Sequence, residues 1–196
     1  MLRTVKAAAL FVVCFFLSTH SRSQSSLKLP TTSPLPGDIK ILVADYPSRF
    51  SNVIGDEIAK NPQSTDYNCS VKITGAENSV ITLYSSATGS KCSWAGEMLV
   101  TENFDEAKKK YKTLYTQLNN IQVTDAAGSF HFKGKYDEPT EAKKFAGSVL
   151  SPDKTVPGFT MLRMEVSLQY ELLEWKVKIL LYDKEREDNE RGKTTE

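Results

Sequence analysis

The chain predicts an α+β fold: a two-layer sandwich whose mainly antiparallel sheet carries its helices on one face, in the order helix-βββ-helix-ββββ. Three observations predict it. Leu162, Met164, Val166, Leu168 and Tyr170 alternate with Arg163, Glu165, Ser167 and Gln169, the period-two pattern of a strand with one face in a core. After a short break, Trp175, Val177 and Ile179 continue the alternation against Lys176 and Lys178, which makes a hairpin suited to the centre of a sheet. Phe104, Ala107, Tyr111, Leu114, Leu118 and Ile121 recur at spacings of three and four, the stripe of a helix with one face to hide.

Taken in order, the chain opens with Arg3 and Lys6, then an apolar run from Ala7 to Leu17, then the polar stretch Ser18 to Gln24. That is the layout of a cleavable signal peptide, and the run is shorter than the roughly 20 residues a membrane-spanning helix needs. Ser21 and Ser23 are the small residues that place cleavage before Gln24, so residues 1–23 read as signal peptide and the protein as secreted or periplasmic. Cys14 follows Val13 rather than a small residue, which argues against lipid anchoring. No transmembrane segment is expected after cleavage, because no later stretch approaches the required apolar length.

Residues 24–37 read as an extended linker, with three prolines between Ser25 and Gly37. A single domain is expected over 38–183. Asp38 reads as the N-cap of a helix carrying Ile39, Leu42 and Val43; beyond Pro47, the spacing of Phe50, Val53, Ile54 and Ile58 extends helical character to the Asn61-Pro62 stop. Three strands should follow, through Tyr67 to Ile73, Val80 to Tyr84, and Cys92 to Val100. Tight turns would align Val71, Leu83 and Trp94 in one row. Asn103 and Glu106 then resemble a capping box opening the long helix. Ser129 to Tyr136 reads as strand, and Lys143 to Leu150 leans to strand because Gly147, Ser148 and Val149 are weak helix formers. Residues 184–196 form a charged tail without an apolar anchor. Two successions of helix and meander hint at a pseudo-repeat.

Composition bounds the function. Loss of residues 1–23 removes three basic residues, leaving 22 against 24 acidic ones and a net charge of −2. A near-neutral domain argues against nucleic-acid binding. His131 is the one histidine left, and no CxxC, HxxxH or HxH spacing exists, so no metal site or cofactor is expected. No Gly-x-Ser-x-Gly or phosphate loop occurs, and no catalytic residue is singled out. Asp56-Glu57 and Asp137-Glu138 are the carboxylate pairs a hydrolase would call on, although adjacent carboxylates are ordinarily solvated.

Cys69 and Cys92 are an even pair in an exported chain, which suggests a disulfide. The expected register disfavours it, since both cysteines would flank Ser85 from opposite sides, about 9.6 Å apart against a limit of about 7 Å for bridged Cα atoms. Lys108, Lys109, Lys110 and Lys112 form a basic cluster on the long helix, extended by Lys133, Lys135, Lys143 and Lys144, with Lys108, Lys109 and Lys112 the candidates for an anionic partner. Tyr115, Leu180 and Tyr182 fall off the main apolar stripes and are candidates for a partner surface. The leading expectation is an exported, non-catalytic binding or interaction module for a protein or glycan. An envelope hydrolase using carboxylate chemistry and a structural envelope protein self-associating through a sheet edge are the competing classes.

Overall fold

The computed structural model describes residues 34–85, 91–126 and 128–184. Residues 1–23, read as a signal peptide, residues 24–33 of the expected linker and the tail from residue 185 lie outside the described residues. Helix α1 (Leu35–Asp45) is followed by strands β1 (Ile54–Asn61), β2 (Ser64–Cys69), β3 (Asn78–Tyr84) and β4 (Lys91–Thr101). Helix α2 (Phe104–Leu118) then leads into β5 (Gln122–Asp125), β6 (Gly128–Lys133), β7 (Phe145–Pro152), β8 (Leu162–Glu171) and β9 (Glu174–Asp183). The nine strands form one sheet in the order β1-β2-β3-β4-β9-β8-β7-β6-β5, with every neighbour antiparallel. β9 is therefore the middle strand, and the terminal hairpin sits at the centre of the sheet as its alternation predicts.

The α+β class with an antiparallel sheet holds, but the element order does not: the helices are followed by four and five strands rather than three and four. The first discrepancy is β1, which the spacing of Phe50, Val53, Ile54 and Ile58 had made helical. Phe50 and Val53 are buried in the turn before the strand, while Ile58 is 51% exposed on the strand itself. A solvated edge strand has no apolar face to alternate, so four apolar residues spread over turn and strand mimic a helical period. Asn61-Pro62, read as a helix stop, begins the hairpin connection from β1 to β2. The second discrepancy is the four-residue β5, too short to show a period.

Helix α1 starts three residues before Asp38, with Pro34 as its N-cap residue and Pro36 in its first turn, where a missing N–H costs nothing. Asp38 is not the cap; its carboxylate accepts the Thr74 N–H at 2.8 Å. At α2 the capping prediction holds in half: Asn103 Oδ1 accepts the Glu106 N–H at 3.2 Å. Glu106 does not return to Asn103; its carboxylate accepts the Thr101 hydroxyl, which itself accepts the Asn103 N–H.

The register differs from the expected one. Ile81 faces Trp94 and Tyr67, and Leu83 faces Cys92 and Thr65, whereas Val71 and Ile73 lie in the β2–β3 connection. That connection is long, so the register is not set by a tight turn. Cys69 and Cys92 end up two strands apart and displaced along the strands as well, and both are free thiols.

On one face, Met164, Val166 and Leu168 of β8 oppose Leu181, Ile179 and Val177 of β9, all within 1% of full burial. Helix α2 covers this face, with Ala107, Tyr111, Leu114 and Leu118 buried and the Phe104 ring 4.8 Å from that of Trp175. Trp94 lies over Gly96 on the same face, donating its indole N–H to Ser79 Oγ at 2.6 Å. A Cβ on Gly96 would sit 2.6 Å from the Trp94 ring, so the glycine makes room for the indole.

Candidate binding surface

The reverse face of the central strands carries one apolar row broken by an acid: Val80, Ala95, Leu180, Glu165 and Val149 are cross-strand neighbours from β3 to β7. Leu180 is half-buried there, while Tyr182, in the adjacent row, is 6% exposed and donates its hydroxyl to Glu165 Oε2 at 3.0 Å. Gly147 leaves space for that carboxylate, since a Cβ would approach Glu165 Oε1 to 2.5 Å. Ser93, opposite Tyr182, and Ser167, opposite Gly147, are also buried. The end of β9 is thus apolar on both faces, as Leu180, Leu181 and Tyr182 imply, and a carboxylate accepts from the tyrosine between them.

The other sequence candidates lie elsewhere, and two of them, Tyr115 and Lys108, have partners of their own. Tyr115 packs its ring 5.0 Å from Tyr136 and donates its hydroxyl to the Gly134 carbonyl at 2.9 Å. Tyr111, on the same helix, shares a 2.6 Å hydrogen bond with Ser148 and donates to the Asp137 carbonyl. Burial raises the Tyr136 pKa to about 12, and its hydroxyl has no hydrogen-bond partner among the described residues.

Part of the basic cluster is paired with carboxylates. Lys108 pairs with Glu138 at 2.7 Å and holds that carboxylate below its usual range; Lys143 pairs with Asp137 at 3.4 Å. Lys133 and the His131 imidazole lie 3.5 Å from Asp153, whose pKa is lowered first by the hydrogen bond from the His131 backbone N–H and then by Lys133. Lys144 stacks over the Tyr170 ring at 4.3 Å. Lys109 and Lys112 stand over a shallow groove on the outer side of α2, with no ion pair among the described residues. No group of three or more His, Cys, Asp or Glu side chains is placed to hold a metal among the described residues.

Sequence reasoning passed over the tip of the central hairpin. Leu172 and Leu173 join β8 to β9, both at positive φ, +52° and +70°, the pattern of a type I′ turn. They are 82% and 78% exposed. Residues other than glycine, asparagine and aspartate are costly there, because Cβ crowds the following carbonyl. Glu171 and Glu174 close the hairpin directly opposite each other, and like charges across a strand pair repel. Glu171 is relieved by Lys176 at 3.3 Å and Gln169 at 3.1 Å, which lower its pKa. Phe145, 46% exposed, lies next to Gln169 on the same end of the sheet. The available signal was a two-residue connection reading Leu-Leu where Asn-Gly is the usual choice.

At the opposite end of β9, a cavity of about 210 Å³ opens between the turn after α1 and the start of β4. Tyr46, Pro47, Arg49, Lys91, Cys92, Gly158 and Asp183 line it. The turn is fixed from inside: Asp45 accepts the Asn52 backbone N–H at 3.0 Å and its side-chain amide, and the Phe50 ring is fully buried. Those anchors hold Arg49 and Phe50 at φ near +60°. Tyr46 donates its hydroxyl to Asp183 at 3.2 Å, and burial raises the Cys92 pKa to about 11. No family model matches the chain, and no curated protein or solved structure matches it.

Proposed function

We propose that the protein is an exported, non-catalytic interaction module that engages a protein partner through hairpin β8–β9, with Leu172 and Leu173 as anchors and Leu180 on its flank. The observation that carries this reading is the tip itself. Four consecutive residues combine two left-handed leucines, their near-complete exposure and a like-charged closing pair. Local rules broken together at one place, with only the Glu171 charge relieved by neighbouring side chains, point to a requirement outside the fold. Export rests on the reading of residues 1–23 as a cleavable signal. The helices are proposed to share the layer that covers the α2 face, so that the hairpin end is the contact region.

Two features weigh against the competing classes. β1, at one sheet edge, carries two register shifts along with Asp56, Glu57 and Lys60, devices that discourage edge-to-edge pairing. Glu138 is held ionised by Lys108, the reverse of the raised pKa a general acid needs at neutral pH.

The test compares what immobilised wild type and the Leu172→Asn/Leu173→Gly variant retain from an extract of the host's envelope. A species retained by the wild type and lost from the variant is the expected result. Identical retained sets would remove the tip from the interaction.

A further inference from the structure

At the end of β8 away from the tip, the last residues of β7, the loop after them and the start of β8 enclose a second cavity, of about 170 Å³. Ser151, Asp153, Lys154, Thr155, Thr160 and Arg163 line it, so its walls are polar. Both sides are held in place. The Asp153 backbone donates to the His131 carbonyl and Asp153 Oδ1 accepts the His131 N–H, each at 2.8 Å, which pins the loop to β6. Arg163 Nη1 donates to the Thr160 carbonyl at 3.1 Å and the Leu162 carbonyl at 2.7 Å. Those two bonds use both Nη1 protons, turn the guanidinium back toward the loop and leave the N–H groups of Nε and Nη2 to face a guest. The charges around the cavity do not cancel. Arg163 and Lys154 have no ion pair among the described residues. Asp153, the one carboxylate in the lining, is matched on its β6 side by Lys133 and the His131 imidazole, each 3.5 Å from Oδ2. Farther out, Glu165 accepts from Tyr182 and Asp183 from Tyr46, while Lys184 is exposed. Lys133, Lys154, Arg163 and Lys184 set against Asp153, Glu165 and Asp183 leave a positive excess.

We propose that this cavity binds inorganic phosphate in its monohydrogen form, held by Arg163 and Lys154 and selected by Asp153. The volume is below the roughly 300–1,000 Å³ of small-molecule sites, which suits a single tetrahedral ion. The free edge of the Arg163 guanidinium is a planar fork that matches two phosphate oxygens, and its anchored Nη1 means that little side-chain freedom is lost on binding. The Lys154 ammonium and the Ser151 and Thr155 hydroxyls are donors for the remaining oxygens. Thr160 is not such a donor, because its hydroxyl donates to the Val156 carbonyl. Asp153 supplies the discrimination. An ionised carboxylate only accepts hydrogen bonds, so it favours an oxyanion that still has a proton to donate and repels one that does not. Monohydrogen phosphate has that proton. Sulfate has none, and a phosphomonoester, with a second pKa of about 6, has lost its own at neutral pH.

Proton–nitrogen correlation NMR of the labelled protein, as processed by its host, tests the site by titration with sodium phosphate at constant ionic strength and about pH 7.5, where a monoester is dianionic. Saturable shifts are expected at Lys154, Thr155 and Arg163, with half-saturation on the order of 1 mM for a site open to water. Sodium sulfate and methyl phosphate should bind about tenfold more weakly, the worth of one hydrogen bond to a charged group. Lys154→Gln and Arg163→Gln should each weaken phosphate by about tenfold. Asp153→Asn keeps an acceptor for the His131 N–H and should bring sulfate to within about twofold of phosphate, because the amide can donate. Every variant is checked for unchanged amide dispersion; if Arg163→Gln loosens the loop its carbonyl contacts hold, exposed Lys154 carries the test. Shifts that do not saturate, saturation at Lys109 and Lys112 instead of the cavity, or undiminished affinity in Lys154→Gln overturns the site. Equal affinity of the wild type for sulfate and phosphate, or for methyl phosphate and phosphate, overturns the assignment of the ion.

Discussion

Replacing Leu172 and Leu173 by Asn and Gly should make the protein more stable. Each leucine holds a positive φ, which costs an ordinary L-residue roughly 1–2 kcal/mol, whereas Asn-Gly adopts the same turn with little penalty. The glycine gives back about 0.5–1 kcal/mol through the greater freedom of the unfolded chain. Little burial is lost, since the two side chains are 82% and 78% exposed. The balance is a gain of about 1–3 kcal/mol, or roughly 3–10 °C in Tm for a domain of this size. Differential scanning calorimetry, supported by urea titration with an unchanged m-value, measures it. A lower Tm would refute the reasoning, because it would mean that contacts of the leucines outweigh the strain.

Other outcomes follow from single contacts. Gly96→Ala should cost about 1–3 kcal/mol in urea denaturation, because its Cβ would press on the fully buried, hydrogen-bonded Trp94 ring. Tyr136→Phe should be neutral or stabilising by about 1 kcal/mol in the same assay, since it removes a buried hydroxyl without a partner among the described residues. Ellman titration of the unfolded, unreduced chain should find Cys69 and Cys92 both free, and iodoacetamide should label half-exposed Cys69 before buried Cys92. Cys92 titrates near 9 when unfolded and at about 11 when folded, so its contribution is complete below pH 9 and is lost as the pH rises through 11. Unfolding then releases a proton, and Cys92→Ala should flatten the decline in stability that begins above pH 9.

What could be read from the residues is what burial writes into them. The central hairpin was legible because Met164, Val166 and Leu168 face one layer while Arg163, Glu165 and Ser167 face the other. Helix α2 was legible because Ala107, Tyr111, Leu114 and Leu118 must all reach the sheet. β1 was misread because an edge strand with Ile58 exposed carries no such pattern. The β2–β3 register was missed because the chain from Ser70 to Glu77 is a connection, and Val71 and Ile73 bury from it without belonging to a strand.

The candidate surface was legible only in outline. Leu180 and Tyr182 lie on the hairpin whose tip is the proposed contact, yet Tyr182 bonds to Glu165, a partner that alternation alone does not reveal. The tip escaped notice because hydrophobic periodicity does not weigh backbone conformation, and its anomaly lies in φ rather than in composition. The cavity at the other end brings Tyr46, Cys92 and Gly158 together across the sequence, which only the fold can do.

The claim that the hairpin tip is the protein's contact point is tested most directly by a photocrosslinking residue placed at Leu172 in the exporting cell. A matched control at Ile58 is 51% exposed on the edge strand β1. Discrete adducts are expected from position 172, absent from position 58 and competed away by excess unlabelled protein. Equal labelling from both positions, or none from 172, would contradict it.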